Sequence, residues 1–153
     1  MEFEDLEKDI LKFSNKEKSK VLMSFFKTGV GEYAENDKFL GISVPCIRKL
    51  SKKYKDFSLN EIEILLKSEF HEKRTLSLIL LINLFDKKDT NKKDIVDFYL
   101  NNTKYINNWD LVDLSCYKIL GKYIIENNSM NYDILIKLSK SKNLWEKRIS
   151  IVS

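Results

Sequence analysis

Turn-forming residues are scarce in this chain of 153 residues, which has four glycines and one proline. A multi-stranded β fold needs many more breakers, so their shortage favours helices. Only two cysteines occur, Cys46 and Cys116, far apart and without CxxC spacing. That argues against a disulfide framework or a cysteine zinc site, and both thiols are expected to be reduced core residues. The single histidine, His71, stands in Phe70-His71-Glu72-Lys73-Arg74. One histidine builds neither a zincin motif nor a nucleophile triad, and His71 is read as a helix-start residue. No apolar stretch approaches the length of a membrane span, and Met1–Asp9 is acidic and amphipathic rather than a secretory leader. These absences predict a cytoplasmic chain without membrane contact.

Hydrophobic residues make up 43% of the sequence and charged residues 33%, which suits a soluble chain with a real core rather than a disordered one. The net charge of +4 permits a polyanionic partner without demanding one. Residues 1–153 contain no linker or low-complexity segment, so a single domain is expected.

Apolar residues recur with helical period almost from end to end. The predicted helices are Phe3–Phe13, one opened by a Ser14-x-x-Glu17 capping box and running to Lys27, Pro45–Tyr54, and one capped by Ser58-x-x-Glu61 and ending at Lys67. Glu72–Phe85, apolar almost all round, is expected to be central and buried. Thr90–Asn101, Asn108–Glu126, Tyr132–Ser139 and Leu144 onwards complete the set. Thr28–Ser43 reads as the longest loop, and its Gly29-Val30-Gly31 is no dinucleotide fingerprint because no strand precedes it. Phe25, Phe26, Phe39, Phe98 and Tyr99 are read as mostly core. The joints, among them Asn127–Asn131, are short and polar, which makes successive helices antiparallel neighbours. Helix pairs recur at roughly 35–45 residues, the spacing of HEAT-like repeats. The predicted fold class is therefore all-α, a solenoid of stacked antiparallel helix pairs with a concave face. The last helix ends without a stop signal and has Ile149, Ile151 and Val152 to cover. It is expected to fray, to associate with a second copy, or to be followed by further helices of an array incomplete at its C-terminus.

Two charges interrupt apolar arcs. In the helix from Asn108, the arc contains Val112, Cys116, Ile119, Leu120, Tyr123 and Ile124, and Asp113 falls inside it. Trp109, four residues earlier, shares that face. In the last helix, Arg148 lies amid Leu144, Trp145, Ile149, Ile151 and Val152. A charge so placed is costly unless paired or used. Asp113 and Arg148 are about one repeat apart, so an Asp–Arg pair flanked by Trp109 is expected, either as a functional site or as a structural ion pair. A second feature is basic. Pro45–Tyr54 sets Cys46, Ile47, Leu50 and Tyr54 on one side and Arg48, Lys49, Lys52 and Lys53 on the other. Four cations on one face form either a solvated surface or a grip for phosphates. Lys73-Arg74 and Lys147-Arg148 add further basic pairs.

Four stretches in order carry a family likeness: Phe25-Phe26-Lys27-Thr28-Gly29, the run from Phe39 to Leu50 around Gly41-Ile42-Ser43-Val44-Pro45, Asn108-Trp109-Asp110-Leu111-Val112-Asp113, and Asn143-Leu144-Trp145-Glu146-Lys147-Arg148. The chain resembles the AlkD-like DNA alkylation repair glycosylases, HEAT-like solenoids that release alkylated bases from double-stranded DNA. The resemblance implies that Trp109 and Asp113 lie against the deoxyribose of the lesion and Arg148 near its backbone. It implies contact with sugar and phosphates rather than a deep base pocket, and it implies no metal or cofactor. With DNA as the partner, the basic residues Arg48, Lys49, Lys52, Lys53, Lys73, Arg74 and Lys147 are the expected DNA contacts. Ser43 departs from members with Gln there. The family continues for further helices that bring a second active-site Trp, so a catalytically weakened chain is expected.

Overall fold

The computed structural model describes residues 3–127 and 132–153. Among them helices are the only extended elements, and one isolated β-bridge joins Lys38 to Phe70. The expected all-α class holds. The helices are α1 (Phe3–Phe13), α2 (Lys16–Phe25), α3 (Val44–Lys53), α4 (Leu59–Leu66), α5 (His71–Phe85), α6 (Lys92–Asn101), α7 (Trp109–Cys116), α8 (Lys122–Glu126), α9 (Asp133–Ser139) and α10 (Leu144–Val152). A 3₁₀ turn, Thr103–Tyr105, precedes α7, and a π turn, Tyr117–Gly121, joins α7 to α8. Of the expected joint Asn127–Asn131, residues 128–131 lie outside the described residues. The chain divides into two compact units, Met1–Leu80 and Leu81–Ser153.

Local chemistry sets the helix starts. Ser58 and Glu61 form both halves of a capping box, so α4 begins as expected. Ser14 forms no such box. Its hydroxyl donates to the Ile10 carbonyl at the end of α1, and Asn15 instead caps α2 by accepting from the Lys18 N–H. An asparagine side chain reaches the free amides as well as serine does, and Ser14 is already spent one turn back. Pro45 sits in the first turn of α3, where its missing N–H is harmless.

In the first unit, Leu6, Ile10, Ile47, Leu50, Tyr54, Ile62, Leu65 and Leu66 are buried, and α1 packs on α3. Helix α5 has buried side chains at Leu76, Leu78, Ile79, Leu80, Leu81 and Ile82, as its all-round apolar pattern predicts. Phe26, Phe39 and Tyr99 are core residues, and Phe98 is half-buried. Phe25 is not core. It ends α2 on the outside, 63% exposed, because α2 buries none of its residues.

Charge organises the loop between α2 and α3. Glu72, 4% exposed, accepts from the Leu40 N–H at 2.9 and 3.1 Å, from Gly41 at 2.8 Å and from Ile42 at 3.2 Å. From the other side, the Asn15 N–H donates to the Leu40 carbonyl at 2.8 Å and the Ser19 hydroxyl to that of Phe39 at 2.7 Å. Gly41 is the residue that allows both contacts. Its φ is +77°, and a Cβ there would stand 2.0 Å from the Asn15 carbonyl oxygen. Beside this strap lies a buried ion pair. Arg74 donates from Nη2 to Asp37 Oδ1 at 2.7 Å, and His71 Nδ1 is 3.3 Å from Asp37 Oδ2. The His71 ring stacks on Phe39 and lies against Phe26. Burial pushes the Asp37 carboxyl up, but His71 and Arg74 together outweigh it and hold it below the ordinary carboxylate range.

Two predictions arise here. Gly31 also has positive φ, +78°, but nothing stands within 4 Å of its Cβ position. Gly31→Ala should cost about 1 kcal/mol, the left-handed backbone penalty alone. Gly41→Ala should cost at least about 2 kcal/mol more, because backbone must move. Urea midpoints of the two variants measure the difference. The second prediction concerns acid. A carboxylate whose folded pKa is lowered stabilises fully above its unfolded pKa, about 4, and loses that contribution as pH falls through the folded value. Asp37→Asn should therefore be about 3 kcal/mol less stable than wild type at pH 6. The gap should narrow in urea melts at pH 3, and a constant gap would refute the assignment.

Candidate active site

The second unit places the two misplaced charges together. Asn108, fully buried, caps α7 by accepting from the Trp109 N–H at 2.8 Å. Trp109 opens the helix half-buried, and Asp113 follows one turn later on the same face. Val112, Cys116, Ile119 and Leu120 are buried behind them. The π turn Tyr117–Gly121 then takes in the extra residue of an i→i+5 pattern. Beyond it burial falls away, with Tyr123 and Ile124 half-buried and Ile125 exposed.

Helix α10 repeats the construction. Asn143 caps it by accepting from the Trp145 N–H at 2.9 Å. The helix packs on α7 and α9, with Ile149 buried, Val152 half-buried and Ile151 exposed. Arg148 meets Asp113 in a two-pronged ion pair: Nε donates to Oδ1 at 2.7 Å and Nη2 to Oδ2 at 2.6 Å. The side chains keep 36% (Asp113) and 41% (Arg148) of their exposure, so the pair sits at the surface rather than in the core. The hydrogen bonds from Arg148 to Asp113 raise the guanidinium pKa against a smaller opposing effect of burial. The pair uses two of the five guanidinium N–H groups, which leaves donors for an anion. Burial pushes the Cys116 thiol up, which keeps it a protonated, unreactive side chain.

The predicted cations divide. Arg48, Lys49 and Lys52 are exposed along α3, and Lys147 is exposed on α10. Lys53, next in the row, is held by the Asp9 carboxylate, which also takes the Tyr54 hydroxyl at 2.8 Å and Lys12 at 2.9 Å. Lys73 donates to both oxygens of Glu7, at 2.7 and 2.8 Å. Arg74 requires a correction. It is 5% exposed and spent on Asp37 and the Ser68 carbonyl, so it is a core residue and not a surface cation. Its i→i−1 neighbour Lys73 made the two look like one basic patch, but on a helix adjacent residues point about 100° apart. Cys46 is half-buried rather than core, and both cysteines are free. Among the described residues no group of three or more His, Cys, Asp or Glu is placed to hold a metal ion, and no helix is long and apolar enough to cross a membrane.

Two features were missed in the sequence. One is the pair of asparagine caps, Asn108 and Asn143, which set both site helices. An asparagine just before an apolar-periodic run is their available signal. The other is the bond from the Thr103 hydroxyl to Glu146 Oε1, 2.6 Å long, which has no local signal because 43 residues separate its ends.

No curated protein and no solved structure gives a significant match to the chain. A sequence model of the family described as DNA alkylation repair enzyme does match, over residues 6–153. That span takes in both halves of the Asp113–Arg148 pair and the strapped loop at Gly41, and the chain belongs to the DNA alkylation repair enzyme family.

Proposed function

We propose that the protein is a DNA glycosylase that releases cationic, N3- or N7-alkylated purines from double-stranded DNA without drawing the base into a deep pocket. The observation that carries this reading is the surface-exposed Asp113–Arg148 pair on the Trp109 face of α7. Alkylation at N3 or N7 gives the base a positive charge, so it leaves with the electron pair of the C1′–N bond as a neutral molecule. No general acid is needed. The positive charge passes to the sugar as an oxocarbenium ion. Asp113 faces that charge as a carboxylate, and at about 4 Å in a partly screened site the attraction is on the order of 4 kcal/mol. The face of Trp109 adds cation–π attraction. Water then adds at C1′ and loses a proton, leaving the abasic sugar and the neutral base.

Arg148 has two tasks in this scheme. In the DNA-free protein it holds the Asp113 carboxylate in one orientation through two hydrogen bonds. On DNA its remaining donors take a phosphate oxygen. A phosphate that draws Arg148 toward itself also loosens its hold on Asp113, so the carboxylate's field turns to the sugar as the lesion arrives. Arg48, Lys49, Lys52 and Lys147 supply phosphate contacts that carry affinity without base readout. Lys53 and Lys73 contribute less, because Asp9 and Glu7 offset their charges.

The test is chromatographic detection of bases released from methylated duplex DNA. Asp113→Asn should lower the release rate about 100-fold while DNA affinity stays within about twofold. Equal release by wild type and variant would sink the catalytic role, and DNA binding with no release by wild type would make the protein a non-catalytic binding module. A separate measurement addresses the cations. Replacing Arg48, Lys49 and Lys52 with Gln should weaken binding to any duplex and reduce the salt slope of log Kd by about 3. An unchanged slope would remove α3 from the DNA interface.

A further inference from the structure

Helix α10, which carries Arg148, packs on α7 and α9. Of its residues only Ile149 is buried. Its last turn rests on Gly121, where a Cβ would stand 2.9 Å from the Ser153 carbonyl carbon. Its first turn has Leu144 exposed and Trp145 half-buried. That turn also borders a cavity of about 560 Å³ lined by Leu100, Asn101, Lys137, Leu138 and Glu146 among others, so close packing does not fix it on that side. A side-chain bond ties it to the α6–α7 connection: the Thr103 hydroxyl donates to Glu146 Oε1 at 2.6 Å. Thr103 is 5% exposed in the 3₁₀ turn that leads into α7. The bond therefore joins the segment that delivers Asp113 to the segment that delivers Arg148.

We propose that Thr103 and Glu146 are positioning residues that set the register of Arg148 on Asp113. Glu146 lies two residues before Arg148 and about 200° around the helix, so it faces away from the pair and acts on it only through the helix. The tie is a hydrogen bond to a carboxylate oxygen that an amide oxygen can replace. A displacement of an ångström at a reacting group costs far more rate than stability. Loss of the tie should accordingly appear in catalysis and in the pair itself before it appears in folding.

The catalytic consequence rests on the glycosylase reading, whereas the positioning does not, and the experiment separates the two. The Nε–H proton of Arg148, held by Asp113, is followed by NMR hydrogen exchange, and base release is measured in parallel. Thr103→Val should speed exchange of that proton about tenfold or more and lower the release rate about tenfold, with DNA affinity unchanged. Thr103→Ser and Glu146→Gln, which retain a donor and an acceptor, should behave like wild type in both assays. Wild-type exchange in Thr103→Val that folds with an unchanged Tm would overturn the proposal, as would loss of pairing in Thr103→Ser. If Thr103→Val fails to fold, Glu146→Ala is read in its place by the same two measurements. Altered exchange in a protein that releases no base even as wild type would support the positioning and refute the glycosylase reading alone.

Discussion

Glu72 brings a negative charge to a place where water reaches almost none of it, and three consecutive backbone amides are bent around it. A carboxylate buried without partners would cost several kcal/mol, so the loop from Leu40 to Ile42 must close on it if α5 is to stay in place. The bending demands positive φ at Gly41, and the closeness of Asn15 forbids any side chain there. Position 41 thus joins α2, the loop and α5 through one residue type. The start of α3 follows three residues later, so the direction of the row Arg48, Lys49 and Lys52 is set by a charge that none of them touches.

Among the described residues two Asp–Arg pairs differ in burial, and burial decides which of them a ligand can reach. Asp37 and Arg74 are nearly inaccessible, with His71 beside them in a three-ring cluster with Phe26 and Phe39. Breaking that pair leaves an uncompensated buried charge, and no ligand can reach it. Asp113 and Arg148 have comparable geometry, with both carboxylate oxygens engaged, but more than a third of each side chain meets solvent. Partial exposure discounts its value to stability to about 1 kcal/mol or less. A pair of so little structural worth, set beside a half-buried tryptophan, is the one that an incoming anion can rearrange.

Helices were legible in the sequence because period and scarcity of breakers agree; α1, the Ser58–Glu61 box and the all-round apolar α5 follow from residues within one or two turns of each other. The Asp113–Arg148 meeting was legible for a different reason: two charges of opposite sign broke apolar arcs one repeat apart. What stayed hidden depends on partners far along the chain. Asp37 lies 37 residues before Arg74, Glu7 lies 66 before Lys73 and Asp9 lies 44 before Lys53, so no local pattern tells a paired cation from a free one. Ser14 misled because two capping residues stand side by side and only the geometry of the preceding turn chooses between them. The π turn was invisible too, since it leaves Val112, Cys116, Ile119 and Leu120 in ordinary helical spacing and alters what comes after.

The substrate proposed here explains why a site of this modest construction is sufficient. A neutral purine needs a protonated side chain or a tight pocket to make it leave. A purine alkylated at N3 or N7 has already lost that barrier, and the protein need only stabilise a sugar cation for the instant before water adds. For that task one carboxylate held in one orientation is enough, and its strength is limited by solvent screening rather than by its neighbours. Exposure has a use in return. A lesion lying in a duplex, with its base still near the stack, can approach a surface carboxylate but not a buried one. On the proposed reading the arrangement exchanges field strength for access, and the same exposure that makes Asp113–Arg148 a weak bond leaves both of its halves within reach of a duplex.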